Sequence, residues 1–172
     1  MNEKARHLLD CYTFGIEPDG GWIFPRALHQ AQLDHRPASL RRVNLLLDEI
    51  RAQLNPERAS FLERPDARNL CTLLGGYLVA YLEQQHPRVR VQPGHAAGGL
   101  SPLDWVEAKL FGEPGAPNCT DYVAELFAAA VGADVHERIA QASDAGIDGL
   151  DWISGEWTPS DPTARAGAVC YA

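Results

Sequence analysis

One long apolar segment limits what this 172-residue chain can fold into. Residues 65–85 read PDARNLCTLLGGYLVAYLEQQ, where leucine and tyrosine recur at steps of three and four residues. This spacing predicts an α-helix whose apolar stripe covers close to half of its circumference, more than a surface helix needs. Pro65 and Asp66 suit the first turn of a helix, and Pro87 prevents its continuation. We therefore expect a buried central helix.

The same segment carries a strip of small side chains. Thr72, Gly76 and Ala80 follow one another at four-residue steps, and Gly75 adjoins Gly76. A glycine inside a helix costs about 1 kcal/mol relative to alanine, so the close approach of another backbone is the expected compensation. We predict that the partner is a second amphipathic helix over residues 37–55. These two helices are then expected to pack as antiparallel neighbours across the small-residue strip.

Shorter amphipathic segments surround this pair. Helices are predicted over residues 3–12, 25–33 and 102–111, then from Asn118 or Thr120 to Gly132, and again from Val135 to Gln141. Residues 88–91 alternate polar and apolar side chains, which predicts a short strand. The sequence thus predicts a mainly α, helical-hairpin-centred single domain over residues 1–158, with at most a small β element. A loosely attached tail follows over residues 159–172.

Part of this hairpin resembles a pattern found in small uncharacterised bacterial proteins. In that pattern Leu-Asp and Ser-Leu precede a leucine-rich helix, and a later helix carries Gly-x-Tyr-Leu. The matching residues in this chain, within residues 33–85, are Leu33, Asp34, Ser39, Leu40, Gly75 or Gly76, Tyr77 and Leu78. The resemblance implies a bacterial helical domain of unknown role, and it transfers no catalytic residues.

Charge is distributed unevenly along the chain. The net charge is −8, and residues 121–172 hold nine acidic and two basic side chains, a difference of seven. Such a surface repels nucleic acid and anionic lipid and favours a basic protein partner. The longest mostly apolar run is shorter than the about 20 residues that span a bilayer, and no uninterrupted apolar leader begins the chain. We expect a cytoplasmic protein that engages neither membrane nor nucleic acid.

These charges favour a protein–protein interaction module as the functional prediction. The module would be an adaptor, or an antidote that covers the active site of a basic toxin. The candidate binding residues are Asp144, Asp148, Asp151, Trp152 and Trp157. The competing interpretation is a solvated acidic tail that serves solubility. The aspartates lack the ligand spacing of an EF-hand loop, so no calcium site is predicted.

Cys119 is the sharpest candidate for catalysis. It lies at the predicted start of a helix, where the positive end of the helix dipole lowers the pKa of a thiol. The surrounding string PNCTDYV is similar to the helix-opening cysteine of bacterial papain-like cell-wall peptidases and related hydrolases. That resemblance implies an activating histidine, for which the candidates are His95 and His136. A Cys119-dependent hydrolase or transferase is therefore the alternative to a binding protein, and a structural cysteine is the simpler interpretation.

No motif predicts a cofactor or a metal site. The four cysteines are widely separated and form no Cys-x-x-Cys pair, which favours free thiols in a reducing compartment. The histidines do not share a helical face with a second plausible ligand, and His7 with Asp10 suggests a surface pair. Neither glycine pair is followed by the Lys-Ser or Lys-Thr of a phosphate-binding loop.

Overall fold

A computed structural model describes the backbone of residues 1–144 and the side chains of residues 1–132. Seven α-helices form within this part of the chain. They are α1 (Glu3–Phe14), α2 (Pro25–Gln30), α3 (Pro37–Leu54), α4 (Arg58–Glu63), α5 (Pro65–Gln85), α6 (Pro102–Phe111) and α7 (Cys119–Asp144). Among the described residues, β structure is limited to an isolated bridge between Ala97 and Leu100. The predicted mainly α-helical fold is confirmed.

The chain divides into two compact units, Met1–Val131 and Gly132–Ala172. The packing described below is that of the first unit. The predicted boundary between a domain over residues 1–158 and a tail over residues 159–172 lies outside the described residues, so it stays a prediction.

Local sequence signals set several helix ends. Ser101 Oγ accepts the Asp104 N–H at 3.2 Å, and the Asp104 carboxylate accepts the Ser101 N–H at 3.3 Å. This reciprocal pair is a capping box, which satisfies two amide groups that have no partner inside α6. Gly15 and Gly112 end α1 and α6 in the left-handed conformation, with φ of 66° and 70°.

Helix α5 is the most deeply buried element, as predicted. Thirteen of its 21 residues are buried, and its most extensive helix contacts are with α6 and α1. A Cβ atom built on Gly76 would lie 2.7 Å from the Cβ atom of Ala5 in α1. A Cβ atom built on Gly75 would lie 3.2 Å from the Cα atom of Leu103 in α6. The glycines therefore let two other backbones approach α5 closely.

The predicted partner of the small-residue strip was wrong. Helix α3 makes its extensive contacts with α6, and the glycines of α5 contact α1 and α6 instead. A side-chain link does join the two predicted helices, because Tyr77 Oη in α5 contacts Ser39 Oγ in α3. Periodicity identifies the apolar side of each helix but not which sides meet, so it could not select α1 as the partner.

The sequence analysis missed one helix, and two of its predictions were wrong. The connection between α3 and α5 contains helix α4, which packs on α5 through the buried Phe61. Residues 88–91 form no strand, and the Val91 N–H donates to the Glu83 carboxylate at 3.1 Å instead of to a neighbouring strand. Helix α7 is continuous where two helices were predicted on either side of Gly132. A glycine in a helix interior costs only about 1 kcal/mol, which does not by itself end a helix.

The start of α7 is fastened to α6 by two large aromatic side chains. Trp105 and Tyr122 are both fully buried, and their ring centroids stack at 5.0 Å. Trp105 Nε1–H donates to the Pro117 carbonyl at 3.1 Å, and the Tyr122 hydroxyl donates to the Leu100 carbonyl at 3.0 Å. These contacts press the first turn of α7 onto the core.

Candidate functional site

Cys119 begins α7, as predicted, but its side chain is sealed in the core. The residue is 1% exposed. Burial raises the pKa of the Cys119 thiol to about 12, although the charge of Lys109 acts in the opposite direction. Almost no thiolate is then present near neutral pH, which is the reverse of the activation that a nucleophilic cysteine needs. The predicted effect of the helix dipole is outweighed by loss of hydration.

Of the two candidate histidines only His95 has a described side chain, and among the described residues it makes no hydrogen bond to Cys119. His95 Nδ1 accepts the Gln92 N–H at 3.2 Å in the loop before α6, and no histidine with a described side chain contributes to the shifted pKa of the thiol. His136 belongs to α7, and its side chain lies outside those that the structure describes. Its role as the activating histidine therefore stays a prediction.

The predicted binding residues fall outside the described side chains. Asp144 is the last residue of α7, and Asp148, Asp151, Trp152 and Trp157 come after it. Their proposed role in binding stays a prediction.

The described first turns of α7 do present carboxylates to solvent. Asp121 and Glu125 are exposed, and no ion pair among the described residues engages either of them. Asn118 caps the helix, since its Oδ1 atom accepts the Asp121 N–H at 3.0 Å and its Nδ2 atom donates to the Asp121 carboxylate at 2.6 Å. Negative charge in the first turn is stabilised by the helix dipole. These two carboxylates extend the acidic C-terminal segment into the described part of the chain.

A buried polar cluster, here called the tyrosine cluster, joins α3 to α5. Its members are His35, Ser39 and Tyr77, of which Ser39 and Tyr77 are fully buried. Tyr77 Oη accepts the His35 N–H at 3.0 Å and contacts Ser39 Oγ, which donates to the Arg36 carbonyl at 2.6 Å. The centroid of the His35 ring lies 5.0 Å from that of the Tyr77 ring, and the His35 Nδ1 atom is buried with no hydrogen-bond partner among the described residues. Burial lowers the pKa of His35, although the charge of Asp34 opposes this shift.

Arg42 holds the turn that precedes α3. Its guanidinium donates to the carbonyls of Ala31 and Gln32 at 2.6 and 2.7 Å, and to the Asp34 carboxylate at 2.9 Å. Gln32 and His35 both have positive φ, 44° and 57°, which is uncommon for residues other than glycine. Asp34 and residues of the tyrosine cluster also carry the resemblance noted for residues 33–85. In this structure their contacts stabilise the turn that precedes α3.

A cysteine–histidine contact was missed by the sequence analysis. Cys11 Sγ lies 3.6 Å from His7 Nε2, one turn away on α1, so His7 contacts a thiol where a pair with Asp10 was predicted. Cys11 is buried and lines a cavity of about 320 Å³ together with Trp22. The sequence feature that could have predicted this contact is the four-residue spacing of histidine and cysteine on a predicted helix.

A second cavity, here called the strip cavity, lies over the small-residue strip of α5. Its volume is about 180 Å³. Its floor is formed by α5, and its walls by α1, the loop before α6 and the start of α6. The residues that line it include Ala5, Thr72, Gly75, Gly76, Val79, Val91, His95, Ser101, Pro102 and Leu103.

The described residues define an α-helical domain with several small cavities. Among them, no group of three histidine, cysteine, aspartate or glutamate side chains is arranged to hold a metal ion. No helix in this part of the chain combines the length and the apolar character needed to cross a bilayer. No protein-family model, curated protein or solved structure matches the chain. The resemblance over residues 33–85 therefore stays a prediction.

Proposed function

We propose that this protein is a binding module that recognises a basic protein partner through its acidic C-terminal segment, residues 121–172. The observation that carries the proposal is the charge distribution, since this segment has nine acidic and two basic side chains in a chain of net charge −8. The exposed Asp121 and Glu125, which no described cation neutralises, support it. The partner is either a protein held by an adaptor or a basic toxin blocked by its antidote.

Two physical effects give such a segment its binding capacity. A concentrated negative field raises the rate of encounter with a basic surface, and the effect falls as salt screens the charges. A few residues supply most of the affinity at typical interfaces, and tryptophan is enriched among them. Trp152 and Trp157 lie among the acidic residues and provide such anchors. The carboxylates therefore attract the basic partner, and the tryptophans supply the affinity of the complex.

We also propose a bacterial, cytoplasmic setting. Cys11, Cys71 and Cys119 are free and buried in the described part of the chain. Unpaired cysteines are typical of proteins kept in a reducing compartment. This observation supports the location but is independent of the binding partner.

The experiment compares three versions of the full chain as bait in a lysate of the native organism. The first is the wild type, and the second carries Asp144→Asn, Asp148→Asn and Asp151→Asn. The third is a matched control with Glu3→Gln, Asp10→Asn and Glu17→Gln, which removes three exposed charges from the N-terminal region. We expect one basic protein to be retained by the wild type and by the control but lost by the C-terminal variant.

Salt provides an independent measurement of the same interaction. Raising the salt to about 0.5 M shortens the Debye length to roughly 4 Å, which should release an electrostatically held partner. Equal retention by all three baits, or no retained protein that this salt releases, would contradict the proposal.

The cysteine-dependent alternative is tested by alkylation of Cys119. With a pKa of about 12, its thiolate fraction at pH 8 is on the order of 10⁻⁴, against roughly a quarter for an ordinary thiol. We expect iodoacetamide to modify Cys119 at least about a thousandfold more slowly than a model thiol, as measured by mass spectrometry of the native chain. Rapid modification below neutral pH would restore the enzyme hypothesis.

A further inference from the structure

The contact between Cys11 and His7 brings a nucleophile to a base within one helix. Cys11 Sγ lies 3.6 Å from His7 Nε2, which is within hydrogen-bond reach for a sulfur atom. When the neutral imidazole carries its own proton on Nδ1, its Nε2 atom can accept the proton of the thiol. A histidine base beside a cysteine is a common arrangement for activating a sulfur nucleophile. His7 is exposed, so it can pass an accepted proton on to water.

An open cavity gives a small molecule a route to this thiol. Cys11 is only 4% exposed, but it lines the cavity of about 320 Å³ described above, here called the Cys11 cavity. An apolar cavity of about 150 Å³ in another protein holds benzene, so the Cys11 cavity has room for a molecule of comparable size. Its mouth lies at the surface, because four of its lining residues are exposed. They are Gly15, Glu17, Pro25 and His29.

The other two thiols in the described part of the chain lack both features. Burial raises the pKa of the Cys71 thiol and that of the Cys119 thiol to about 12. Neither residue lines the Cys11 cavity, and neither makes a hydrogen bond to a histidine side chain among the described residues. Cys71 and Cys119 therefore serve as unactivated references within the same molecule.

The position of Cys11 in α1 makes a base essential. Cys11 lies in the last turn of the helix, where the negative end of the helix dipole disfavours a thiolate. A proton acceptor must therefore act as the sulfur attacks. We propose that His7 is this acceptor and that Cys11 is a covalent modification site for small uncharged carbon electrophiles that enter the Cys11 cavity. This role is independent of the acidic C-terminal segment.

The lining of the cavity determines the charge of the electrophile. Ile16, Trp22 and Leu28 supply apolar walls, and Glu17 places a carboxylate near the mouth. A negative charge at the entrance of an apolar cavity repels anions and leaves neutral molecules unaffected.

The reaction is a substitution at carbon. The sulfur of Cys11 forms a bond to the electrophilic carbon as the bond from that carbon to its leaving group breaks. The leaving group departs with the bonding electron pair, and the thiol proton passes to His7 Nε2 and from there to water. This step consumes neither an oxidant nor a reductant.

Site-resolved alkylation of the full chain tests this proposal. Iodoacetamide is the uncharged probe, from which iodide leaves, and peptide mass spectrometry measures the rate at each cysteine. At pH 8 we expect Cys11 to react at least about a hundredfold faster than Cys71 and Cys119, whose thiolate fractions are on the order of 10⁻⁴.

Iodoacetate is the charged probe of similar size. Relative to a free model thiol, Cys11 should discriminate against iodoacetate by about tenfold. Glu17→Gln should reduce this discrimination and leave the rate with iodoacetamide unchanged.

Two histidine variants test the base. His7→Ala should slow the reaction of Cys11 by about a hundredfold, the lower end of what a general base contributes. Free imidazole should restore part of that rate, because His7 is exposed and its removal leaves space for the added base. His29→Ala is the matched control, since His29 lines the same cavity but makes no hydrogen bond within the described residues. Circular dichroism and thermal melting establish that each variant is folded.

Four results would overturn the proposal. Equal rates at Cys11, Cys71 and Cys119 would mean that modification follows unfolding of the chain. An unchanged rate in folded His7→Ala, or an equal loss in His29→Ala, would reject His7 as the base. If imidazole restored none of the rate, the role of His7 would be structural. Faster reaction of iodoacetate would reject the uncharged class, and His7→Gln replaces His7→Ala if the latter does not fold.

Discussion

The two sides of helix α5 are held by different physical means. Toward α1 and α6 the contact is steric, because Gly76 and Gly75 allow other backbones to approach within van der Waals distance. Toward α3 the link is polar, through the hydroxyl of Tyr77 and its partners Ser39 and His35. The glycine side is therefore sensitive to added atoms. The tyrosine side is sensitive to lost hydrogen bonds, so different substitutions distinguish the two.

The largest effect is expected on the glycine side. Gly76→Val adds three carbon atoms where the first already lies 2.7 Å from Ala5 Cβ, an atom fixed to the backbone of α1. Overpacking of this kind should lower the free energy of unfolding by about 3 kcal/mol, measured by urea denaturation. Gly132→Ala is the control, since no described atom beyond the adjoining helix backbone lies within 4 Å of its added Cβ. It should stabilise the chain by up to about 1 kcal/mol, and destabilisation of similar size in both variants would contradict the steric account.

On the tyrosine side, removal of one oxygen atom should have the next largest effect. Tyr77→Phe leaves the His35 N–H without its acceptor and removes the contact to Ser39 Oγ, which keeps its hydrogen bond to the Arg36 carbonyl. The variant should therefore cost about 2 kcal/mol in unfolding free energy. Tyr81→Phe is a matched control on the same helix. Tyr81 is also buried, but its hydroxyl makes no hydrogen bond within the described residues. Equal losses for the two variants would show that the hydrogen bonds of Tyr77 contribute nothing special.

Combined substitutions at Ala5 and Gly76 test whether their contact is steric. Ala5→Gly removes the Cβ atom that a side chain at Gly76 would meet, so Gly76→Ala should cost less in that background. We expect a coupling free energy of about 1 kcal/mol in a double-mutant cycle. Ala5→Gly combined with Gly132→Ala should instead be additive. Additivity of the Ala5 and Gly76 changes would mean that α1 yields easily at this contact.

The smallest expected effect is a pH dependence on the tyrosine side. Burial lowers the pKa of His35 in the folded state, so below about 6.5 the unfolded chain binds a proton that the folded chain resists. The contribution of His35 to the free energy of unfolding has its full value above about pH 6.5 and is lost as the pH falls toward the lower pKa of the folded state. Urea denaturation between pH 7 and pH 5 should show a smaller decrease for His35→Asn than for the wild type. The exposed His29→Asn is the control, and an identical slope for both variants would remove His35 as the cause.

The sequence predicted the helices better than it predicted their partners. Helix α5 runs from Pro65 to Gln85, as its apolar spacing and flanking prolines indicated. Helix α4 was missed because six residues are too few to show a clear period. Cys119 was correctly placed at a helix start, but its burial depends on Trp105 and Tyr122, which meet only when α6 and α7 pack. The pattern of residues along the chain does not show that α6 and α7 pack against each other.

Local interactions between residues three or four positions apart follow directly from the order of amino acids. They determined the helical class, the ends of α5 and α6, and the concentration of negative charge after residue 120. Tertiary structure alone decided that α1 and α6 occupy the small-residue strip, that Cys119 is sealed, and that Tyr77 links to α3. Each of these depends on which surfaces fit together and exclude water. Such a fit joins residues far apart in the chain, and its free energy depends on all of them at once.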